Sequence, residues 1–129
     1  MADIRSTIDA YCETFSANDR EGWLACWADH ATMEDPVGTP IKKGKDEIGA
    51  FYDQGHKMAP DGVVLELTGD PVIVGDEAAI PMRVVVSMGG TRLTTPIVDV
   101  MRFDADAKIA AQRAFVDLSK LAPFSDSPS

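Results

Sequence analysis

Residues 79–103 read AIPMRVVVSMGGTRLTTPIVDVMRF and carry the clearest structural pattern in the chain. Apolar side chains occupy alternate positions on both sides of Gly89-Gly90, which is the period of a β-strand that buries one face. The glycine pair favours a hairpin turn. A similar alternation covers Val63 to Leu67 and Ile109 to Val116. We therefore predict that the second half of the chain is an antiparallel meander.

The first half of the chain carries helical periodicity instead. Its first apolar residues share one stripe at about 100° per residue, namely Ile4, Ile8, Tyr11 and Phe15. This stripe predicts a helix over residues 3–17. Asn18-Asp19 supplies the N-cap of a short second helix that ends near Asp29. A third amphipathic helix is predicted from Gly44 to Met58.

A small hairpin is predicted between the second and third helices. Residues 31–35 read as a short strand that Pro36 ends, and residues 37–40 turn so that Ile41 and Lys42 pair back against it. Helices that precede a curved sheet indicate an α+β fold, with one layer packed on the other. We expect a single domain over residues 1–129, with a C-terminal tail that frays from about residue 118.

Composition and charge exclude several classes of function. Twelve Lys and Arg residues against 21 Asp and Glu residues give a net charge of −9, which repels nucleic-acid phosphates and anionic lipids. The sequence has neither an apolar run of roughly 20 residues nor the layout of a secretion signal. We therefore expect a cytoplasmic protein that binds neither nucleic acid nor membrane. Cys12 and Cys26 form no metal-ligand or disulfide motif, so we expect two buried thiols.

Three polar side chains break the apolar pattern. Tyr11 lies on the buried stripe of the first helix, so its hydroxyl needs a partner in the core. Asp99 shares a strand face with Met101, and burial would raise its pKa enough to keep it protonated. Asp35 follows Met33 by two positions in the short strand. Taken singly, these residues are more often a core tyrosine, a strand-end aspartate and an Asp-Pro turn than members of a site.

Taken together, four parts of the sequence resemble the bacterial ketosteroid isomerases of the NTF2-like, or SnoaL-like, superfamily: Met33 to Gly38, Ile48 to Tyr52, Pro96 to Phe103 and the helical Tyr11. The likeness covers roughly residues 4–116. It implies a cone in which three N-terminal helices pack on a strongly curved, mostly antiparallel sheet. It also implies a steroid Δ-isomerase that needs no cofactor and converts 3-oxo-Δ5 steroids to conjugated Δ4 steroids through a dienolate held in an oxyanion hole.

The same resemblance assigns roles to individual residues. The family's catalytic base falls on Asp35, and its two hydrogen-bond donors fall on Tyr11 and on a protonated Asp99. We expect a small hydrophobic substrate, a steroid or a similar enone, to lie against Trp27, Phe51, Tyr52, Val84, Val86 and Met101, with no metal. The family also implies a homodimer formed through the outer sheet face, where we expect Val85, Val98 and Val100.

Other functions remain open on the same fold. A polyketide cyclase needs only one acid–base aspartate, whereas an epoxide hydrolase resembles an Asp-Arg-Asp arrangement, for which no convincing arginine is in phase with Asp35 and Asp99. A noncatalytic module that binds small hydrophobic ligands would use the same cavity. Gln112 and Val116 stand where the family has apolar or aromatic lining, which leaves a more polar ligand open.

Overall fold

The computed structural model describes residues 3–124. In this part of the chain three α-helices pack against one eight-stranded sheet, and no helix is long and apolar enough to cross a membrane. The helices are α1 (Ile4–Ser16), α2 (Arg20–Leu24) and α3 (Gly44–Met58). The strands are β1 (Trp27–Glu34), β2 (Lys42–Lys43), β3 (Val63–Leu67), β4 (Val72–Val74), β5 (Glu77–Met88), β6 (Thr91–Phe103), β7 (Ile109–Val116) and β8 (Ala122–Pro123). The predicted α+β architecture is confirmed.

The sheet has the order β2-β1-β7-β6-β5-β3, with β4 paired to β5 and β8 paired to β6. Strands β3, β5, β6 and β7 pair antiparallel in turn, which confirms the meander. The small hairpin of β1 and β2 is also present. Strand β1 lies parallel to β7, a pairing that the sequence does not predict. This pairing brings the first strand of the chain beside β7, and with it the residues that follow β1.

The second helix is shorter than predicted. The Asp19 side chain caps it as expected, but the helix ends at Leu24 rather than near Asp29. Trp27 already begins β1, where it pairs with β7. Trp23 and Trp27 are both almost fully buried, and their four-residue spacing suits a helix as well as a helix followed by a strand. Pairing with β7, a tertiary contact, overrides the local preference.

The prediction that the chain frays from residue 118 is wrong for the residues that the structure describes. Leu118–Lys120 form a short 3₁₀ helix, and β8 pairs with Leu93 and Thr94 of β6. Tertiary pairing with β6 therefore orders a segment whose own composition gives no such signal. The remainder of the predicted tail, residues 125–129, lies outside the described residues.

The outer face of the sheet is more covered than expected. Val98 is 42% exposed, whereas Val85 is only 6% exposed, and Val100 is half-buried. Strand β8 continues the row that starts at Val85, because Thr94 pairs with Val85 on one side and with Ala122 on the other. Phe124, just after β8, packs on the guanidinium groups of Arg83 and Arg92 at 5.0 and 4.9 Å, on the strands that carry Val85 and Thr94, whereas Val98 stays exposed.

An aromatic cluster joins the helices to one another behind the sheet. The Trp23 ring centroid lies 5.7 Å from that of Tyr11, 5.8 Å from that of Phe15 and 5.1 Å from that of Tyr52. Tilted contacts at these distances stabilise a core beyond the area they bury. Cys12 and Cys26 are free and buried, as expected. Because Tyr11 belongs to this cluster, its ring is held in a fixed position.

Candidate active site

An apolar cavity of about 320 Å³ lies between the helices and the sheet. Residues from α1 and α3 form one wall, and residues from β3, β5, β6 and β7 form the other. Among the described residues, the ionisable side chains in this wall are Tyr11, Asp35 and Asp99. The three residues that break the apolar sequence pattern therefore share one cavity.

The sheet register brings the two aspartates to either side of Ala114. Asp99 pairs with Ala114 across the β6–β7 ladder. In the parallel β1–β7 ladder Glu34 pairs with Arg113, so Asp35, one residue further on, comes level with Ala114. Side chains that share a row of a sheet project to the same face. Both carboxyl groups therefore point to the cavity, and the side chain between their strands is a single methyl group.

Asp99 is the more deeply buried of the two acids, with 2% of its surface exposed. Burial raises the pKa of Asp99 to about 8, the nearby Asp35 carboxylate acts in the same direction, and hydrogen bonds with Gln112 and Tyr11 lower it only in part. At pH 7 the Asp99 carboxyl is therefore mainly protonated. A protonated carboxyl donates a hydrogen bond, which a carboxylate does not.

Asp35 is the acid that ionises first. It is partly exposed, and the Gln112 amide donates a hydrogen bond from Nε2 to its Oδ2 at 3.3 Å. Burial raises the pKa of Asp35, while that hydrogen bond and the charge of Lys42 lower it. Two neighbouring carboxyl groups lose their protons in sequence rather than together. The pair is thus one carboxylate, Asp35, beside one carboxylic acid, Asp99.

Tyr11 completes the group. It is 3% exposed, and burial, together with the charges of Asp99 and Asp35, raises the pKa of its phenol well above the usual value. The hydroxyl is therefore a neutral donor at all ordinary pH values, and its hydrogen bond with Asp99 lowers the pKa of that carboxyl. Two neutral donors and one anionic base face an apolar space, an arrangement suited to moving a proton beside a carbonyl group.

Of the six side chains expected against the ligand, the cavity wall includes Phe51, Val84 and Val86. The structure places the other three in the buried core behind the wall, namely Trp27, Tyr52 and Met101. The Trp27 ring packs 6.1 Å from that of Tyr11, and the Tyr52 hydroxyl donates to Asn18 Oδ1 at 2.8 Å. Trp27 thus packs directly against Tyr11, whereas Tyr52 joins the same cluster through Trp23.

Two residues of the cavity wall are not expected from the sequence. Leu118 and Leu121 contribute to the wall, although they belong to the segment expected to fray. Of the two residues that stand where the family has apolar or aromatic lining, Val116 belongs to the wall, whereas Gln112 is 1% exposed, is not among the lining residues and contacts Asp35. The sequence does contain a signal for Gln112. This residue stands two positions before Ala114, so the alternation places both side chains on the same face of β7. The alternation that selects Asp99 on β6 also selects Gln112 on β7.

The fold and the site define a class of protein: a small α+β cone whose apolar cavity carries acid–base groups. The family model of the SnoaL-like domain matches residues 8–112, and the chain belongs to this family. It is 32% identical over 114 residues to the Steroid Delta-isomerase of Nocardioides simplex, which covers 88% of this chain and 89% of that protein. The resemblance to ketosteroid isomerases is thereby confirmed.

The cone is also found among solved structures. The crystal structure of RV0760c from Mycobacterium tuberculosis matches with a TM-score of 0.82 at 24% sequence identity. The match covers 94% of this chain and 96% of that one. At this identity the likeness concerns the fold, and it confirms the helices-on-sheet cone that the sequence implies.

Proposed function

We propose that this protein is a cofactor-independent steroid Δ-isomerase that converts 3-oxo-Δ5 steroids, or similar unsaturated ketones, to their conjugated Δ4 isomers. The observation that carries the proposal is the convergence of Tyr11, Asp35 and Asp99 on one apolar cavity. The relative from Nocardioides simplex, a Steroid Delta-isomerase, supports it.

Asp35 is the proposed general base. Its carboxylate removes a proton from carbon 4 of the steroid, and the electron pair moves to give a dienolate. The protonated Asp35 then returns the proton at carbon 6, so that the double bond ends between carbons 4 and 5 and no atom is gained or lost. A positioned base of this kind contributes a factor of about 10² to 10⁴ in rate.

Tyr11 and Asp99 are the proposed donors to the dienolate oxygen. Both are almost fully buried, and their raised pKa values keep both groups protonated at neutral pH. Each donor of an oxyanion hole contributes about 3 to 4 kcal/mol when the charge develops in a site without water. Desolvation thus serves the reaction twice, since it keeps Asp99 neutral and strengthens both hydrogen bonds.

The direct test is to mix the purified protein with 5-androstene-3,17-dione and follow the absorbance of the conjugated enone. We expect turnover that falls by about 10² to 10⁴ in Asp35→Asn. Asp106→Asn, in the exposed turn before β7, is the matched control and should keep full activity. Undiminished activity of Asp35→Asn would rule out the base assignment.

The same assay separates the rival functions. Tight binding of the steroid without turnover would indicate a noncatalytic binding module. A cyclase would need Asp35 but not Asp99. An epoxide hydrolase of the Asp-Arg-Asp type is the least supported, because the described residues of the cavity wall include no arginine and Arg113 donates to Glu34 instead.

A homodimer through the outer sheet face is part of the proposal. Val98 and Phe115 are direct partners across the β6–β7 ladder and are 42% and 45% exposed, so they form one apolar area that a second copy would cover. We expect a dimer in light scattering, and a monomer after Phe115→Glu. Met58→Glu, at a site that is 65% exposed at the end of α3 and away from the sheet, is the control that should leave the dimer intact.

A further inference from the structure

Gln112 is a buried amide placed beside both acids. It is 1% exposed, and its ladder partners are Met33 on β1 and Met101 on β6. Each methionine stands two positions from an aspartate, because Asp35 follows Met33 and Asp99 precedes Met101. Residues two apart on a strand share a face. Gln112 therefore lies directly behind the gap between the two carboxyl groups.

The nitrogen of this amide has a hydrogen-bond partner, whereas its oxygen has none. Gln112 Nε2 donates to Asp35 Oδ2 at 3.3 Å, and a hydrogen bond with Gln112 also lowers the pKa of Asp99. Gln112 Oε1 is buried without a hydrogen-bond partner. A buried polar atom without a partner destabilises a fold, and an apolar side chain of similar length would pack between two methionines without that penalty. Packing alone does not explain the amide.

The other groups around Asp35 cannot take over this task. Asp99 on β6 and Tyr11 on α1 share the cavity wall with it, but these two side chains hydrogen-bond to each other. Lys42 on β2 acts through its charge, and it is only partly buried. Within the described residues, Gln112 is the side chain that donates a hydrogen bond to Asp35 in the structure.

We propose that Gln112 is the positioning residue of this site: its amide, which donates to Asp35 Oδ2, holds Asp35 as an oriented carboxylate. Its part in turnover rests on the proposed isomerase function. Loss of the amide removes a donor from both carboxyl groups, so both should hold their protons to higher pH. The proposal therefore concerns proton affinity, which can be measured without any substrate.

The experiment compares the wild type with Gln112→Met, which keeps the length of the side chain and removes the donor. Gln54→Met, on the exposed face of α3, is the matched control. Asp35 and Asp99 are titrated by ¹³C NMR of labelled carboxyl groups, with Asp35→Asn and Asp99→Asn to assign the signals. The pH dependence of kcat/KM is measured on the same variants.

We expect the Asp35 signal of Gln112→Met to titrate at higher pH than in the wild type, and the control to match the wild type. Below the Asp35 midpoint kcat/KM should fall about tenfold, the effect of losing one hydrogen bond to a charged group. Above it the loss should be small. A residue that only supports the fold would lower kcat/KM equally at every pH.

Two outcomes decide the matter. If the Asp35 midpoint of Gln112→Met matches that of the wild type, the inference is overturned, whether or not the wild type isomerises steroids. If the midpoint moves upward while the wild type shows no turnover, the positioning role stands and the proposed function fails. Gln112→Asn, which retains an amide but is one methylene shorter, is measured as well, so that a folding defect of Gln112→Met leaves a second variant with the same expected direction.

Discussion

Asp99 lies directly across the β6–β7 ladder from Ala114, so the side chain beside the most deeply buried carboxyl is a single methyl group. Ala114 is 1% exposed and also lies level with Asp35 through the parallel pairing of β1 and β7. A small residue at this point allows the two acids to share one cavity wall. Burial raises the pKa of Asp99 and so keeps it protonated, and the charge of Asp35 acts in the same direction.

The first prediction concerns this methyl group. Ala114→Val adds two methyl groups between the acids, and we expect it to lower stability by about 1 to 3 kcal/mol through overpacking and to reduce kcat/KM by at least about tenfold, because the acids are displaced. Urea unfolding and the enone assay measure the two effects. Ala111→Val lies on the outward side of the same strand, where a β-branched residue is well tolerated. Equal rates for both variants would contradict the prediction.

The second prediction concerns stability and pH. The pKa of Asp99 is about 8 in the folded protein against 3.8 for an ordinary aspartate, so between these values the folded state holds a proton that the unfolded state has lost. The free energy of unfolding therefore falls as pH rises through this window. In Asp99→Asn the side chain does not ionise, so this decrease in the free energy of unfolding is absent.

Between pH 4 and pH 8 we expect the free energy of unfolding of Asp99→Asn to rise relative to that of the wild type by on the order of a few kcal/mol. We expect no further rise at higher pH. Urea unfolding at pH 4, 6 and 8 measures the difference. Asp70→Asn, whose side chain is 98% exposed, is the surface control. A constant difference between Asp99→Asn and the wild type would show that Asp99 is ionised throughout.

The third prediction concerns the alkaline limb of activity. When Asp99 ionises, the site loses a donor and gains a negative charge, so kcat/KM of the wild type should fall above about pH 8. An asparagine amide donates at every pH, and Asp99→Asn should therefore lack this fall. Asp99→Leu has no donor and should be slow throughout. An alkaline limb that persists unchanged in Asp99→Asn would assign it to another group.

Strand parity was sufficient to find two of the three polar residues of the site. Asp99 shares its parity with Met101, and Asp35 shares its parity with Met33, and both methionines prove to be almost fully buried. Tyr11 followed from the helical stripe in the same way. These inferences succeeded because each depends on a local period that a long strand or helix enforces.

The sequence could not predict what depends on pairing between distant segments. Gln112 and Asp35 are 77 positions apart, and only the parallel pairing of β1 with β7 brings them together. For the same reason the sequence predicts a helix at Trp27, where the structure begins a strand. The composition predicts a frayed tail at Leu118 and Leu121, whereas the pairing of β8 with β6 orders that segment and brings both residues to the cavity.

The last prediction separates the two tyrosines, which are both buried and belong to one aromatic cluster. Tyr11→Phe removes a donor that faces the cavity, so we expect kcat to fall by about 10² to 10³. Tyr52→Phe removes a hydrogen bond to Asn18, so we expect a loss of about 1 kcal/mol in stability with kcat within a few-fold of the wild type. Both variants are measured by the enone assay and by urea unfolding. Tyr11→Phe should mainly lower kcat, and Tyr52→Phe should mainly lower stability. If Tyr52→Phe slows turnover as much as Tyr11→Phe, then rigid support of the cluster, and not the donor of Tyr11, governs the rate.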